Sequence, residues 1–273
     1  MFPHRLAHVP VITIAKVRGR ARGGGDELAL ACDMIFAARE NAVFGQFESG
    51  TGALPGAGGI QHLTRRLGRT RAIEAITGAD DFDADLAERY GWINRTLPDA
   101  ELDGFVERLA KRIAGFPPAG VKAAKRAIND LTLPHPANVR SDSAMFLGLV
   151  ALPESRERLD YLANRGLQTL GDVECDLGDA VAEYPGRGGG VGPVAESGRM
   201  PWLAAGRCTC SCVGVFGETS RAGARPAGDA PADPGVTVTA VGDGAGLQAG
   251  AARPRRSCHR GSNGRPSSVR VGR

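Results

Sequence analysis

Nowhere in its 273 residues does the chain hold an apolar run approaching the roughly 18 residues needed to cross a bilayer. That absence predicts no membrane partner. The first fifteen residues, which include His4, Arg5 and His8, also lack the long apolar core and small-residue cleavage site of a secretory leader. Cysteine is scarce before Tyr184. Cys32 and Cys175 stand alone there, too few and too far apart to imply a disulfide framework. These absences together predict a cytoplasmic protein. His62, near the glycine-rich loop, has no second histidine or cysteine at metal-ligand spacing, and Cys208, Cys210 and Cys212 are set closer than the paired ligands of structural zinc sites. No metal is expected.

One part of the chain also lacks lysine. Residues 185–273 hold 12 Arg, no Lys and 5 acidic residues, with 19 Gly and 8 Pro among 89 residues. Such a composition cannot bury enough apolar surface to offset chain entropy, so a disordered tail is predicted. Residues 1–184 carry 22 Lys+Arg against 25 Asp+Glu, so the overall charge of +4 belongs to the tail. Positive charge in a Gly/Pro-rich segment with few aromatics is not a folded basic face, and no nucleic-acid partner is expected.

The rest of the chain has ordinary apolar periodicity. The β-branched, nearly continuous apolar run Val9–Val17 predicts a strand buried on both faces. Gly19 and Gly23 to Gly25 predict a turn, and Glu27 to Cys32 a helix. Two short strands, Met34–Ala38 and Ala42–Phe44, follow around the polar Arg39-Glu40-Asn41 turn. Helices are predicted over Ile60–Leu67 and Arg69–Thr77, with another starting in the acidic stretch Asp80–Asp85 and stopping at Gly91. Trp92–Leu97 is predicted as a last short strand. Helices over Leu102–Ile113 and Val121–Leu131 come next, then two more across Ser141–Gly166, broken at Pro153.

The stretch richest in chemistry is Gly23-Gly24-Gly25-Asp26-Glu27-Leu28-Ala29-Leu30-Ala31-Cys32-Asp33, with Glu48 twenty-one residues after Glu27. A glycine turn opening into a helix can aim free amides and a carboxylate into one pocket. Amides at a helix start can receive the charge of an enolate while paired acids move protons. Each part also has a structural reading: a plain helix-start turn, a charge–dipole contact for Glu27, an ordinary loop acid for Glu48. Asp26 and Asp33 read as cap or end groups, Cys32 as a small core residue and His62 as a packing or surface residue.

Other motifs fail on their own terms. Gly50 to Gly59 has no Lys-Ser/Thr ending for a phosphate-cradling loop, and Pro55 stands where a dinucleotide fingerprint needs its third glycine. The Asp80–Asp85 run lacks the sixth-position glycine of a calcium loop, and Trp92 occupies the place of its closing Glu. Ser49 has no Gly-x-Ser-x-Gly frame.

Val9-Pro10-Val11-Ile12, the Gly23–Asp33 stretch, Phe44-Gly45-Gln46-Phe47-Glu48, Leu54-Pro55-Gly56-Ala57-Gly58-Gly59 and Gly91-Trp92-Ile93-Asn94 together resemble the enoyl-CoA hydratase/isomerase, or crotonase, family. The resemblance is ordered, covering Val9 to Asn129 well and Leu131 to Tyr184 loosely. It implies an α/β fold, a ClpP/crotonase-like spiral of ββα units followed by C-terminal helices. The domains would be a partial crotonase core at 1–132, a helical segment at 133–184 and the tail at 185–273. It further implies that Gly24, beside Gly23, supplies an oxyanion-hole amide and that Glu27 and Glu48 are the acid/base pair. The substrate would be an acyl-CoA, with coenzyme A as part of it and no separate cofactor, and the assembly a homotrimer or hexamer.

The resemblance also marks departures. Family members carry a first half containing the other oxyanion amide and most adenine-side contacts, which this chain lacks, so weak or no activity of its own is expected. A catalytically inactive member with an assembly role is the alternative. Arg18 and Arg22 stand around the glycine turn, and Phe47 before Glu48, where the family has other residues, and the usual C-terminal Phe-x-Glu-Lys-Arg signature is missing.

Overall fold

A computed structural model of the chain describes residues 2–169, 171–186 and 236–241. It opens with a short helix, α1 (Phe2–Ala7), and then steps twice through strand, strand and helix. The first step is β1 (Ile12–Val17), β2 (Arg20–Arg22) and α2 (Gly24–Leu30). The second is β3 (Met34–Ala38), β4 (Val43–Gly45), a 3-10 turn at Glu48–Thr51, then α3 (Gly59–Leu67) and α4 (Arg69–Gly78). β5 (Phe82–Asp83), α5 (Ala84–Tyr90) and β6 (Arg95–Leu97) complete the sheets. Helices α6 (Asp99–Ala114), α7 (Pro118–Thr132), α8 (Pro136–Val150) and α9 (Pro153–Asn164) follow, then the short α10 (Asp172–Cys175) and α11 (Leu177–Ala182), and finally β7 (Val236–Val241).

Alternate strands enter different layers. One sheet has the order β6-β3-β1-β7 and the other β2-β4-β5. β1 pairs in parallel with β3, Ile14 opposite Met34, and β2 in parallel with β4, Ala21 opposite Phe44. β1 reads as continuously apolar because both its faces are covered, as successive side chains point to opposite sides. Ala15 and Val17 join Leu30, Ile35, Phe44 and Trp92 in the main core. Ile14 joins Phe36, Leu102 and Val106 in a second cluster beneath α6.

Helix boundaries follow local chemistry. Asp83 caps α5, its Oδ1 accepting the Leu86 N–H at 2.7 Å, and Gly91 ends that helix in the left-handed region. Proline occupies the first turn of α7, α8 and α9, where its missing N–H removes no intrahelical bond. The strand expected from Trp92 begins only at Arg95. Trp92 turns inward and is fully buried, and the Asn94 side chain accepts the Ile35 N–H at 2.7 Å.

The tail departs from the expected disorder at six residues. β7 lies antiparallel to β1 over the register Ile12↔Val241 to Val17↔Val236. The alternating Val-Thr-Val-Thr pattern suits a strand, and it satisfies an edge of β1 whose buried amides would otherwise go unpaired. Val236 is fully buried in the main core. Residues 187–235 and 242–273, where the remaining expectation of disorder falls, lie outside the described residues, as do Cys208, Cys210, Cys212 and Cys258. Cys32 is buried, its thiol donating to the Leu28 carbonyl at 3.7 Å, whereas Cys175 is disulfide-bonded, which the cysteine count did not anticipate. Among the described residues no helix is long and apolar enough to cross a membrane.

Candidate active site

The short connection between β2 and α2 forces the chain to reverse at Gly23, which has φ 49 and ψ −123. Only glycine adopts that conformation without strain. A second reason is space: a Cβ on Gly23 would lie 2.7 Å from Glu48 Oε1 and 2.9 Å from the Phe47 ring. The glycine turn and the second acid are therefore in direct contact. The Gly23 N–H donates to the Gly45 carbonyl at 2.9 Å, tying β2 to β4. Gly23 is thus a backbone hinge, its only N–H being already used, and Gly24 beside it is the amide expected from the sequence. Gly24, the first residue of α2, is exposed, and its N–H has no hydrogen-bond partner among the described residues.

Glu27 lies one turn into α2 and is only 3% exposed. Its Oε1 accepts the N–H groups of Ala57 at 2.6 Å and Gly59 at 2.8 Å, so it caps the start of α3 rather than its own helix. Burial pushes this carboxyl up to about 7, against the opposing pull of those amides. Glu48 begins the 3-10 turn, and its Oε2 is buried without a hydrogen-bond partner. Burial, reinforced by repulsion from Glu27 and Asp26, pushes Glu48 up to about 8. Two buried acids with raised pKa values thus meet near the glycine turn, Glu48 against Gly23 and Glu27 one turn into the helix that follows it, a constellation suited to moving protons near neutral pH.

The C-terminal helices hold the loop that runs from Glu48 to the amides bound by Glu27. Arg158 of α9 donates to the Gly50 carbonyl and Ser155 to the Gly52 carbonyl, each at 3.0 Å. From α8, Ser143 donates to the Gly56 carbonyl and Asp142 accepts from Gln61 at 2.8 Å. Arg18 and Arg22 do not reach the acids. Arg18 pairs with Asp99 at 2.7 Å, and Arg22 makes a forked ion pair with Asp81.

Asp26, read from the sequence as a cap, is instead a fully buried hub. Its Oδ1 accepts the Trp92 indole N–H at 2.9 Å and its Oδ2 the Gln46 amide at 2.6 Å. The available signal was a charge in the first turn of a short helix that continues as Leu-Ala-Leu. Asp33 accepts from Thr13 and pairs with Lys125 of α7 at 2.8 Å, tying α7 to β1. His62 packs inside, where burial lowers it to about 4.

The enoyl-CoA hydratase/isomerase family model matches residues 3–166, more than half of the chain. The chain belongs to the enoyl-CoA hydratase/isomerase family. It is 34% identical over 169 residues to a "Probable enoyl-CoA hydratase, mitochondrial" of Dictyostelium discoideum, covering 61% of this chain and 60% of the relative. Over 125 residues it is 42% identical to a probable enoyl-CoA hydratase of Mycobacterium bovis, covering 46% of this chain and 48% of that one. The chain thus spans between 48 and 60% of these curated relatives' lengths. Among solved structures, it is similar to a candidate enoyl-CoA hydratase from Streptomyces avermitilis at 57% identity and TM-score 0.67, covering 67% of this chain and 66% of that chain. An enoyl-CoA hydratase from Mycobacterium avium subsp. paratuberculosis superposes with TM-score 0.57 at 26% identity, covering 60 and 66% of the two chains. The crotonase fold of the described core, strand–strand–helix steps feeding two sheets, is the family's own.

Proposed function

We propose that this chain acts on acyl-CoA thioesters and hydrates a 2-enoyl-CoA, with Gly24, Glu27 and Glu48 as the working groups. The observation that supports the reading is the contact of Glu48 Oε1 with the Gly23 turn, which brings this buried acid to the start of the helix that carries Gly24 and the buried Glu27. A thioester oxygen over Gly24 would accept its N–H, and the charge that develops there as water adds is stabilised by a donor already in place. Glu27 is the better base because two backbone amides favour its anion. Glu48, with one oxygen unpartnered, keeps its proton to a higher pH and is the acid.

In the proposed step Glu27 takes a proton from water as its oxygen bonds to C3, the C2–C3 electron pair moves into the enolate, and Glu48 delivers its proton to C2. Proton exchange with solvent restores both acids. The reaction is redox-neutral, so coenzyme A enters as part of the substrate and no further cofactor is required. A homotrimer or hexamer belongs to the same proposal, supported by the exposed apolar side chains Ile128 and Leu131 of α7 and Met145 and Leu147 of α8.

The test is loss of the enoyl absorbance of crotonyl-CoA in the presence of the full chain. Glu27→Gln and Glu48→Gln should each lower kcat by about 100-fold or more, the usual range for a lost general acid or base. Turnover unchanged in both variants would refute the assignment. Binding of the ester without turnover by the unmodified chain would favour a non-catalytic family member.

A further inference from the structure

We propose that Asp26 is a positioning residue for both acids, acting through the Gln46 side-chain amide. The inference rests on the hydration reading above and extends it to a buried acid that the reaction does not consume. Asp26 directly precedes Glu27 on α2, and its Oδ2 holds the Gln46 Nε2 at 2.6 Å while Trp92 fixes its Oδ1. Gln46 in turn touches both acids' supports. It lies two residues before Glu48, in the segment leading from β4 to the 3-10 turn. Its Nε2 also lies beside Gly59, close enough that an added Cβ there would come within 3.1 Å, and the Gly59 N–H is one of the two donors holding Glu27.

The orientation of Gln46 depends on whether Asp26 carries a proton. With Asp26 ionised, Gln46 donates through Nε2, leaving its Oε1 buried without a hydrogen-bond partner. A protonated Asp26 would instead donate to Oε1 of a rotated amide, turning Nε2 away and changing which Gln46 atom packs beside Gly59. Several charges bias this switch. Burial raises Asp26 to about 8, Trp92 and Gln46 favour its anion, Glu27 repels it and Arg66 of α3 attracts it. Asp26 in turn repels Glu48.

The experiment is Asp26→Asn in the full chain, read by the pH profile of crotonyl-CoA hydration and by NMR titration of the glutamate side-chain carboxyl carbons. The substituted amide is neutral, so Glu48 loses one repelling neighbour and gives up its proton at lower pH. The expected result is a tenfold or greater fall in kcat, KM within threefold of the unmodified value, and the alkaline limb and the Glu48 midpoint both moved to lower pH. A purely structural role would lower kcat without moving either. Gln46→Met cuts the same link from the other end and should move the limb in the same direction, which keeps the test decisive if Asp26→Asn does not fold. If the unmodified chain hydrates nothing, the proposed function fails by itself and the Glu48 midpoint still decides this inference. An unmoved midpoint in folded Asp26→Asn, or a limb at its usual place in Gln46→Met, overturns it.

Discussion

Replacing Gly23 by alanine separates backbone strain from the placement of Glu48. Gly23, at φ 49 and ψ −123, and Gly68, at φ 76 and ψ 167, both occupy backbone regions that cost other residues about 1–3 kcal/mol. Their surroundings differ. A Cβ on Gly68 would have nothing within 4 Å, whereas one on Gly23 would stand 2.7 Å from Glu48 Oε1 and 2.9 Å from the Phe47 ring, closer than real Cβ contacts come. Gly68→Ala therefore measures strain alone and should lower stability by about 1–3 kcal/mol with little change in kcat. Gly23→Ala adds a clash that Glu48 must relieve by moving, and misplacing a catalytic group by about 1 Å costs on the order of 100-fold in rate. The assay is urea unfolding of both variants alongside crotonyl-CoA hydration. Gly23→Ala with a midpoint no lower than that of Gly68→Ala, and with full turnover, would refute the contact on which the site is built.

Other outcomes follow from the same geometry. Asp26, Glu27 and Glu48 all have folded pKa values raised above their unfolded ones, so the native state binds more protons and stability is fully present below about pH 4, the unfolded carboxyl range. It is lost as pH rises through about 7 to 8; urea midpoints should fall across that window, less steeply in Glu48→Gln, and a flat profile contradicts the burial. Val236→Ala should destabilise the chain by about 2 kcal/mol, because β7 sends that side chain into the main core. No change in the unfolding midpoint would mean that β7 does not dock. Lys125→Ala strips Asp33 of a buried partner 2.8 Å away and should cost about 3–5 kcal/mol, measurable as a lower thermal midpoint.

Much of this was legible in local chemistry. The apolar run before Val17, the glycines around Gly24, the acidic start and glycine stop of α5 and the prolines opening α7 to α9 each specify their own element through steric or capping rules that act over a few residues. Asp26 was misread for the converse reason: its partners Trp92 and Gln46 lie 66 and 20 residues away, and no local rule brings them to it. The use of the Gly23 amide was not legible either, because its acceptor, Gly45, belongs to the neighbouring strand. In the tail local composition misled, where a Val/Thr alternation within a Gly/Pro-rich segment meets an open edge of β1, as the cysteine count did at Cys175.

From residue order alone came the family and, through that resemblance, the expectation of ββα units and of Glu27 and Glu48 as a pair, whereas β2 (Arg20–Arg22), read as part of a turn, shows itself only where it pairs with β4. Folding decided which groups those acids meet. Glu27 is held by amides thirty and thirty-two residues onward, and Glu48 rests against a glycine twenty-five residues back. The raised pKa values that suit both acids to proton transfer come from burial, which exists only once distant segments have closed over them.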